Sequence, residues 1–214
     1  QWLQEQNITY DWQHCDIDSL DQPVMDFKMH LMRKYARTMY DHIRALGVKI
    51  PLCCTNWAKP SALYKAQEDM DFCDSHPYLY DWGWHEYEKV GENVSLMDKP
   101  TVACVGSAAS GRLHGKPFVL TEWDMTWPNA FRCEGPIWFP AMACFQNWSS
   151  MTIHTYSYGS NLSVHDLLGK EASSSTIGSV PYREGIFSTW NDPAKFGLFY
   201  HAALIVRRCD IDPA

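Results

Sequence analysis

Between residues 22 and 46 the apolar side chains Val24, Phe27, Leu31, Tyr35, Met39, Ile43 and Leu46 recur three or four positions apart. That spacing is one face of an α-helix. Asp21 stands where a cap belongs and Gly47 where a helix stops. The pattern then changes. VKIPLCCTNW, residues 48–57, is a β-rich apolar run that ends in polar Thr55 and Asn56. Residues 60–69 read as a short helix, and MDFCDSHPYLYDW, residues 70–82, as a second strand. Residues 83–114 are irregular, with one short helix expected near Thr101 to Ala109. PFVLTEW, residues 117–123, is a third strand. A helix follows in EGPIWFPAMACFQNW, opened by Gly135 and Pro136, with Pro140 disturbing its first turns. MTIHTYSY, residues 151–158, alternates like a fourth strand, and the Ser- and Gly-rich residues 159–185 form a long loop. Asp192 and Pro193 open a last helix that runs to Arg208.

Strands alternating with helices predict an α/β protein with a parallel sheet and right-handed crossovers. The 214 residues suit one domain or a piece of a larger one, and a 46% hydrophobic content is enough for a substantial core. The net charge of −7 argues against a nucleic-acid partner, which would require a basic face. No apolar run reaches the roughly 18 residues of a membrane span, so no membrane partner is expected. The eight cysteines show neither a C-x-x-C pair nor regular spacing. They read as buried thiols and lean toward a reducing, cytoplasmic compartment.

Tryptophan changes the picture, with 10 residues beside 11 Tyr and 9 Phe. Several lie next to Asp, Asn or Glu, in TNW, YDWGWHEYE, TEWDMTW and STWND. Aromatic faces beside hydrogen-bonding groups suit a sugar. All four expected strands also end in residues that do chemistry: Thr55-Asn56-Trp57, Asp74-Ser75-His76-Pro77-Tyr78, Glu122-Trp123, and His154-Thr155-Tyr156-Ser157-Tyr158. In parallel α/β folds, sites form at the carboxyl ends of strands. Glu122 stands out because it closes the strand that begins with the apolar run Phe118-Val119-Leu120, which strips the carboxylate of part of its water.

Taken together, these stretches resemble the second half of a (β/α)8 TIM barrel glycosidase of clan A. GKPFVLTEW resembles the seventh strand of that clan, which puts Glu122 in the place of the catalytic nucleophile. DSHPYLYDW resembles the sixth, whose His and Tyr approach the nucleophile and the sugar, here His76 and Tyr78. PLCCTNW resembles the fifth and MTIHTYSYG the eighth, while FSTWNDPAKFGLFYHAALIVRR resembles the last barrel helix. The resemblance implies that the chain supplies strands 5–8 with their helices, residues 1–214, and that residues 1–21 are an excursion after strand four. It further implies a retaining glycosidase acting on a β-linked sugar, with no cofactor and a carbohydrate as partner. Donors such as Tyr78 would hold the Glu122 pKa low. Asn56, Trp57, His76, Tyr78, Trp82, Trp123, Tyr156 and Tyr158 would line the substrate site.

The clan's Asn-Glu acid/base pair is absent from the chain. Strands one to four, with that residue, are therefore expected before Gln1, in the missing half of the barrel of a longer protein. Other readings compete. Glu122 could form a structural ion pair with Arg132 or Lys116. The chain could be a degenerate carbohydrate-binding barrel, or a metal-dependent barrel hydrolase using His76, Asp74 and His154. No G-x-S-x-G, P-loop, G-x-G-x-x-G or H-E-x-x-H motif occurs.

Overall fold

The computed structural model describes residues 1–16, 18–56, 61–79, 93–98, 105–106, 108–127, 129–157, 186–190 and 192–214. They fall into two compact units. The first comprises Gln1–Ser75 and Ser110–Phe118, the second His76–Ala109 and Val119–Ala214.

In the first unit a short α1 (Trp2–Glu5) precedes the long α2 (Gln22–Ala45) and α3 (Ser61–Gln67). The α2 helix forms where periodicity places it, but it turns a different face inward. Its core contacts are Met32, Ala36 and Tyr40, which pack with Ala66, Met70 and Cys54. Small Ala36 lets α3 come close. Of the expected core stripe, Val24 is buried, whereas Leu31, Tyr35, Met39 and Leu46 are exposed. Asp21 precedes the helix without capping it by its side chain. Its carboxylate instead accepts the Tyr10 hydroxyl at 2.7 Å.

The expected strand over residues 48–57 is not formed in its described part, 48–56. Side chains take the backbone groups that a ladder would use. The Arg44 guanidinium donates to the carbonyls of Val48 and Ile50, both at 2.8 Å. The Asp71 carboxylate accepts the Leu52 N–H at 2.7 Å, while the Asp71 N–H donates to Leu52 O at 3.0 Å. Pro51 removes one further donor.

The expectation of half a TIM barrel is corrected here. The sheet has three strands, in the order β1 (Cys73–Asp74), β2 (Phe118–Trp123), β3 (Ser150–Ile153). Loss of the run at 48–56 removes the fourth strand, and the two outer strands are only two and four residues long. Among the described residues the sheet is small, with fewer strands than half of a barrel requires. Parallel pairing, by contrast, is found between β2 and β3.

In the second unit α4 (Gly135–Phe145) follows a 3-10 turn at Arg132–Glu134. Trp123 stacks on Phe139 with ring centroids 4.4 Å apart, and Trp138 meets Phe139 edge-on. The expected last helix divides into α5 (Pro193–Phe196) and α6 (Phe199–Arg208), separated by Gly197 and Leu198. Two ion pairs anchor α5. Arg132 donates to both oxygens of Asp192 at 2.6 and 3.1 Å. Fully buried Lys195 donates to both oxygens of Asp124 at 2.6 and 2.8 Å. Among the described residues no helix is long and apolar enough to cross a membrane.

Candidate active site

Strand β2 carries one residue more than its partner. Leu120 is opposite Met151 and Trp123 is opposite Ile153, so three steps on β2 match two on β3. This is the geometry of a β-bulge, in which two residues share one position of the pleat. Burial follows the count. Phe118, Leu120 and Trp123 are buried, while Val119, Thr121 and Glu122 are partly exposed. Thr121 and Glu122 thus face the same way, which strict alternation forbids.

His76 reads both of them. Its Nε2 lies 2.7 Å from the Thr121 hydroxyl and its Nδ1 lies 3.2 Å from Glu122 Oε2. Because a carboxylate only accepts, the proton belongs on Nδ1. In the tautomer with its proton on Nδ1, Nε2 accepts from the Thr121 hydroxyl. The Tyr78 hydroxyl donates to the same oxygen, Oε2. His154 Nδ1 stands 3.9 Å from the other oxygen, Oε1. The peptide bond following His154 is cis. The chain reaches this arrangement through parallel pairing: Tyr78 bridges Asp124, and the Leu79 N–H donates to Asp124 O at 3.1 Å.

Phe187 closes one side. Its ring centroid is 5.3 Å from that of Tyr78 and 5.2 Å from that of His154, and the ring is buried. The Glu122 side chain itself keeps 34% of its surface, against 9% for His76. The carboxylate is therefore oriented on one side by donors and open on the other.

The expected site residues divide. Glu122, His76 and Tyr78 come together. Trp123 belongs to the core, with 2% exposure, and its indole points away from that cluster into the packing with Phe139. Tyr156 is exposed and its ring meets Phe196. Asn56 is exposed in the first unit. Trp57, Trp82 and Tyr158 lie outside the described residues. Neither expected ion-pair partner serves Glu122, since Arg132 binds Asp192 and the Lys116 ammonium donates to Met70 O. Among the described residues no group of His, Cys, Asp or Glu has the arrangement of a metal site. Sequence reasoning missed Thr121 and Phe187 as members of the site. Thr121 carried a signal, because a hydroxyl residue beside the acid breaks the apolar run. Phe187 carried none.

Searched against protein-family models, curated proteins and solved structures, the chain finds no match. The resemblance to clan A glycosidases therefore stays at the level of short motifs, and the geometry around Glu122 is the firmer ground for function.

Proposed function

We propose that the protein is a glycoside hydrolase that cleaves a β-glycosidic bond by double displacement, with Glu122 as the nucleophile. The observation that carries this reading is the Glu122 carboxylate, oriented by Tyr78 and His76 at Oε2 and approached by His154 at Oε1. A nucleophilic carboxylate must stay ionised and must be held in one direction. The donors at Oε2 and the bulge together fix that direction. The side chain's remaining surface leaves room for an anomeric carbon.

In this reading a Glu122 oxygen attacks the anomeric carbon as the bond to the leaving oxygen breaks. That oxygen takes a proton from a second carboxyl group, which must lie about 5–5.5 Å from the first. Water, deprotonated by that second group, then releases the sugar and restores Glu122. The reading assigns the second carboxyl to a residue outside the described ones.

The test is to trap the glycosyl-enzyme. Incubation with a 2,4-dinitrophenyl 2-deoxy-2-fluoro-β-glycoside releases one equivalent of dinitrophenol and leaves the fluorosugar on the peptide containing Glu122, read by mass spectrometry. In Glu122→Gln, hydrolysis of the parent aryl β-glycoside falls by at least about three orders of magnitude with the fold retained. Label on another residue, or unchanged turnover in the variant, overturns the proposal.

A further inference from the structure

Strands β2 and β3 run parallel, so their carboxyl ends emerge on one side of the sheet. Glu122 stands at that end of β2. The chain leaving β3 passes it first at His154, whose Nδ1 is 3.9 Å from Glu122 Oε1. Tyr156 follows two residues later. Its carbonyl accepts the N–H groups of Thr189 at 3.1 Å and Trp190 at 3.0 Å, which pins the backbone there. Tyr156 is nonetheless 61% exposed.

The Phe196 ring stands beside it. The two centroids are 6.2 Å apart and the planes are inclined by 51°, so neither ring covers the other's face. Phe196 is 50% exposed, although its backbone is as firmly held. Its N–H donates to Asp192 O at 2.8 Å. Asp192 is bound by Arg132, and the neighbouring Lys195 by Asp124. An exposed apolar side chain on its own is ordinary. Here two rings are in contact, both on anchored backbone, and the chain that carries one of them has just passed the candidate nucleophile.

A pyranose ring suits such a pair. Its C–H groups form a weakly apolar face that packs on an aromatic ring, while its hydroxyls stay at the rim. The Tyr156 hydroxyl can donate to or accept from one of them. A sugar with mainly equatorial hydroxyls leaves that C–H face least interrupted. The rings nearer the carboxylate serve differently. Tyr78 and Phe187 pack on each other and Phe187 is buried, so they wall Glu122 without offering an open face.

We propose that Tyr156 and Phe196 form a platform for a second sugar unit. The substrate is then a β-linked chain of pyranoses with mainly equatorial hydroxyls. One unit lies at Glu122, and another along the same chain stacks on the two rings. The inference rests on the assignment of Glu122 as nucleophile, and it supplies the substrate class which that assignment leaves open.

The test is calorimetric titration of the full chain carrying Glu122→Gln with the β-linked tetrasaccharides cellotetraose, xylotetraose and mannotetraose. At least one of them binds. Adding Tyr156→Ala and Phe196→Ala weakens that binding by about tenfold or more, whereas Tyr156→Phe, which keeps the ring, stays within about threefold. Far-UV circular dichroism is the same in all variants. Binding of none of the three sugars, or equal affinity without the two rings, overturns the proposal. The fluorosugar label on wild-type Glu122 is scored apart. Label on Glu122 with tetrasaccharide binding indifferent to the rings removes the platform alone. No label, with binding lost in the alanine variant, removes the nucleophile and leaves a sugar-binding surface.

Discussion

At Glu122 two side chains converge on one carboxylate oxygen, and under the proposed function that arrangement makes a specific kinetic demand. Tyr78→Phe deletes the hydroxyl that donates to Oε2 and little else. A hydrogen bond to a charged group contributes about 1.5–3 kcal/mol. The kcat/KM for an aryl β-glycoside is therefore expected to drop about 10- to 100-fold, with the melting temperature nearly unchanged. An unaltered kcat/KM would remove Tyr78 from the transition state. Thiols at the same scale differ from one another in reactivity. Burial pushes Cys53 and Cys54 up to about 11, so at pH 8 only about one in a thousand is thiolate. Cys209 is exposed. Iodoacetamide mapping should find Cys209 alkylated well before Cys53 or Cys54, and the reverse order would contradict the burial. The reading of the cysteines as buried thiols thus holds for Cys73, in part for Cys53 and Cys54, and not for Cys209.

At the scale of elements, the pair formed by Asp124 and Lys195 ties β2 to α5. Both side chains are wholly buried. Lys195→Met leaves a carboxyl in the core without its counter-charge, at a cost of about 3–5 kcal/mol. Urea unfolding of Asp124→Leu/Lys195→Met should recover much of that loss, because desolvation disappears with both charges. A double variant no more stable than the single one would show that the pair itself fixes the packing. These elements also indicate how far sequence can be read. The α2 helix was legible in its extent, because seven apolar residues keep helical period. Its inward face was not, because a second set, Met32, Ala36 and Tyr40, keeps the same period and packs better against α3. The run at 48–57 looked like a strand on composition. Its backbone partners, Arg44 and Asp71, lie outside the run, where no local pattern could reveal them. The cluster of Glu122, His76 and Tyr78 was legible because each stands toward the carboxyl end of an expected strand. Trp123 was misread, because the bulge returns it to the buried face.

For the whole molecule, acid acts on the two units in opposite senses. Desolvation pushes the Asp124 carboxyl up to about 6, against the pull of Lys195. An unfolded Asp titrates near ~3.9, so between roughly pH 4 and 6 the folded state holds the extra proton. Stability of the second unit therefore falls as pH rises through that window, by at most about 3 kcal/mol. Asp71 in the first unit runs the other way. Partial desolvation works against its charge, but the Leu52 N–H, the Tyr40 hydroxyl and Arg44 outweigh it and hold the carboxyl below the usual range. Its stabilising contribution is complete above the unfolded value and is lost as pH falls through the lowered one. Denaturation curves from pH 3 to 7, followed by exchange at amides of each unit, should separate the two trends. Asp124→Asn should flatten the first and Asp71→Asn the second. A single trend shared by both units would count against the assignment.

The extra residue in β2 has a consequence for how this chain can vary. Because Thr121 and Glu122 occupy one place in the pleat, the hydrophobic tally from Phe118 to Trp123 is indifferent to losing either of them. Shortening the strand by one at that point leaves Leu120 and Trp123 in their slots, whereas the same cut at Leu120 turns Thr121 into the core. Variation at Thr121 and Glu122 is thereby uncoupled from the integrity of the interior, and either side chain can change without refolding what lies beneath it.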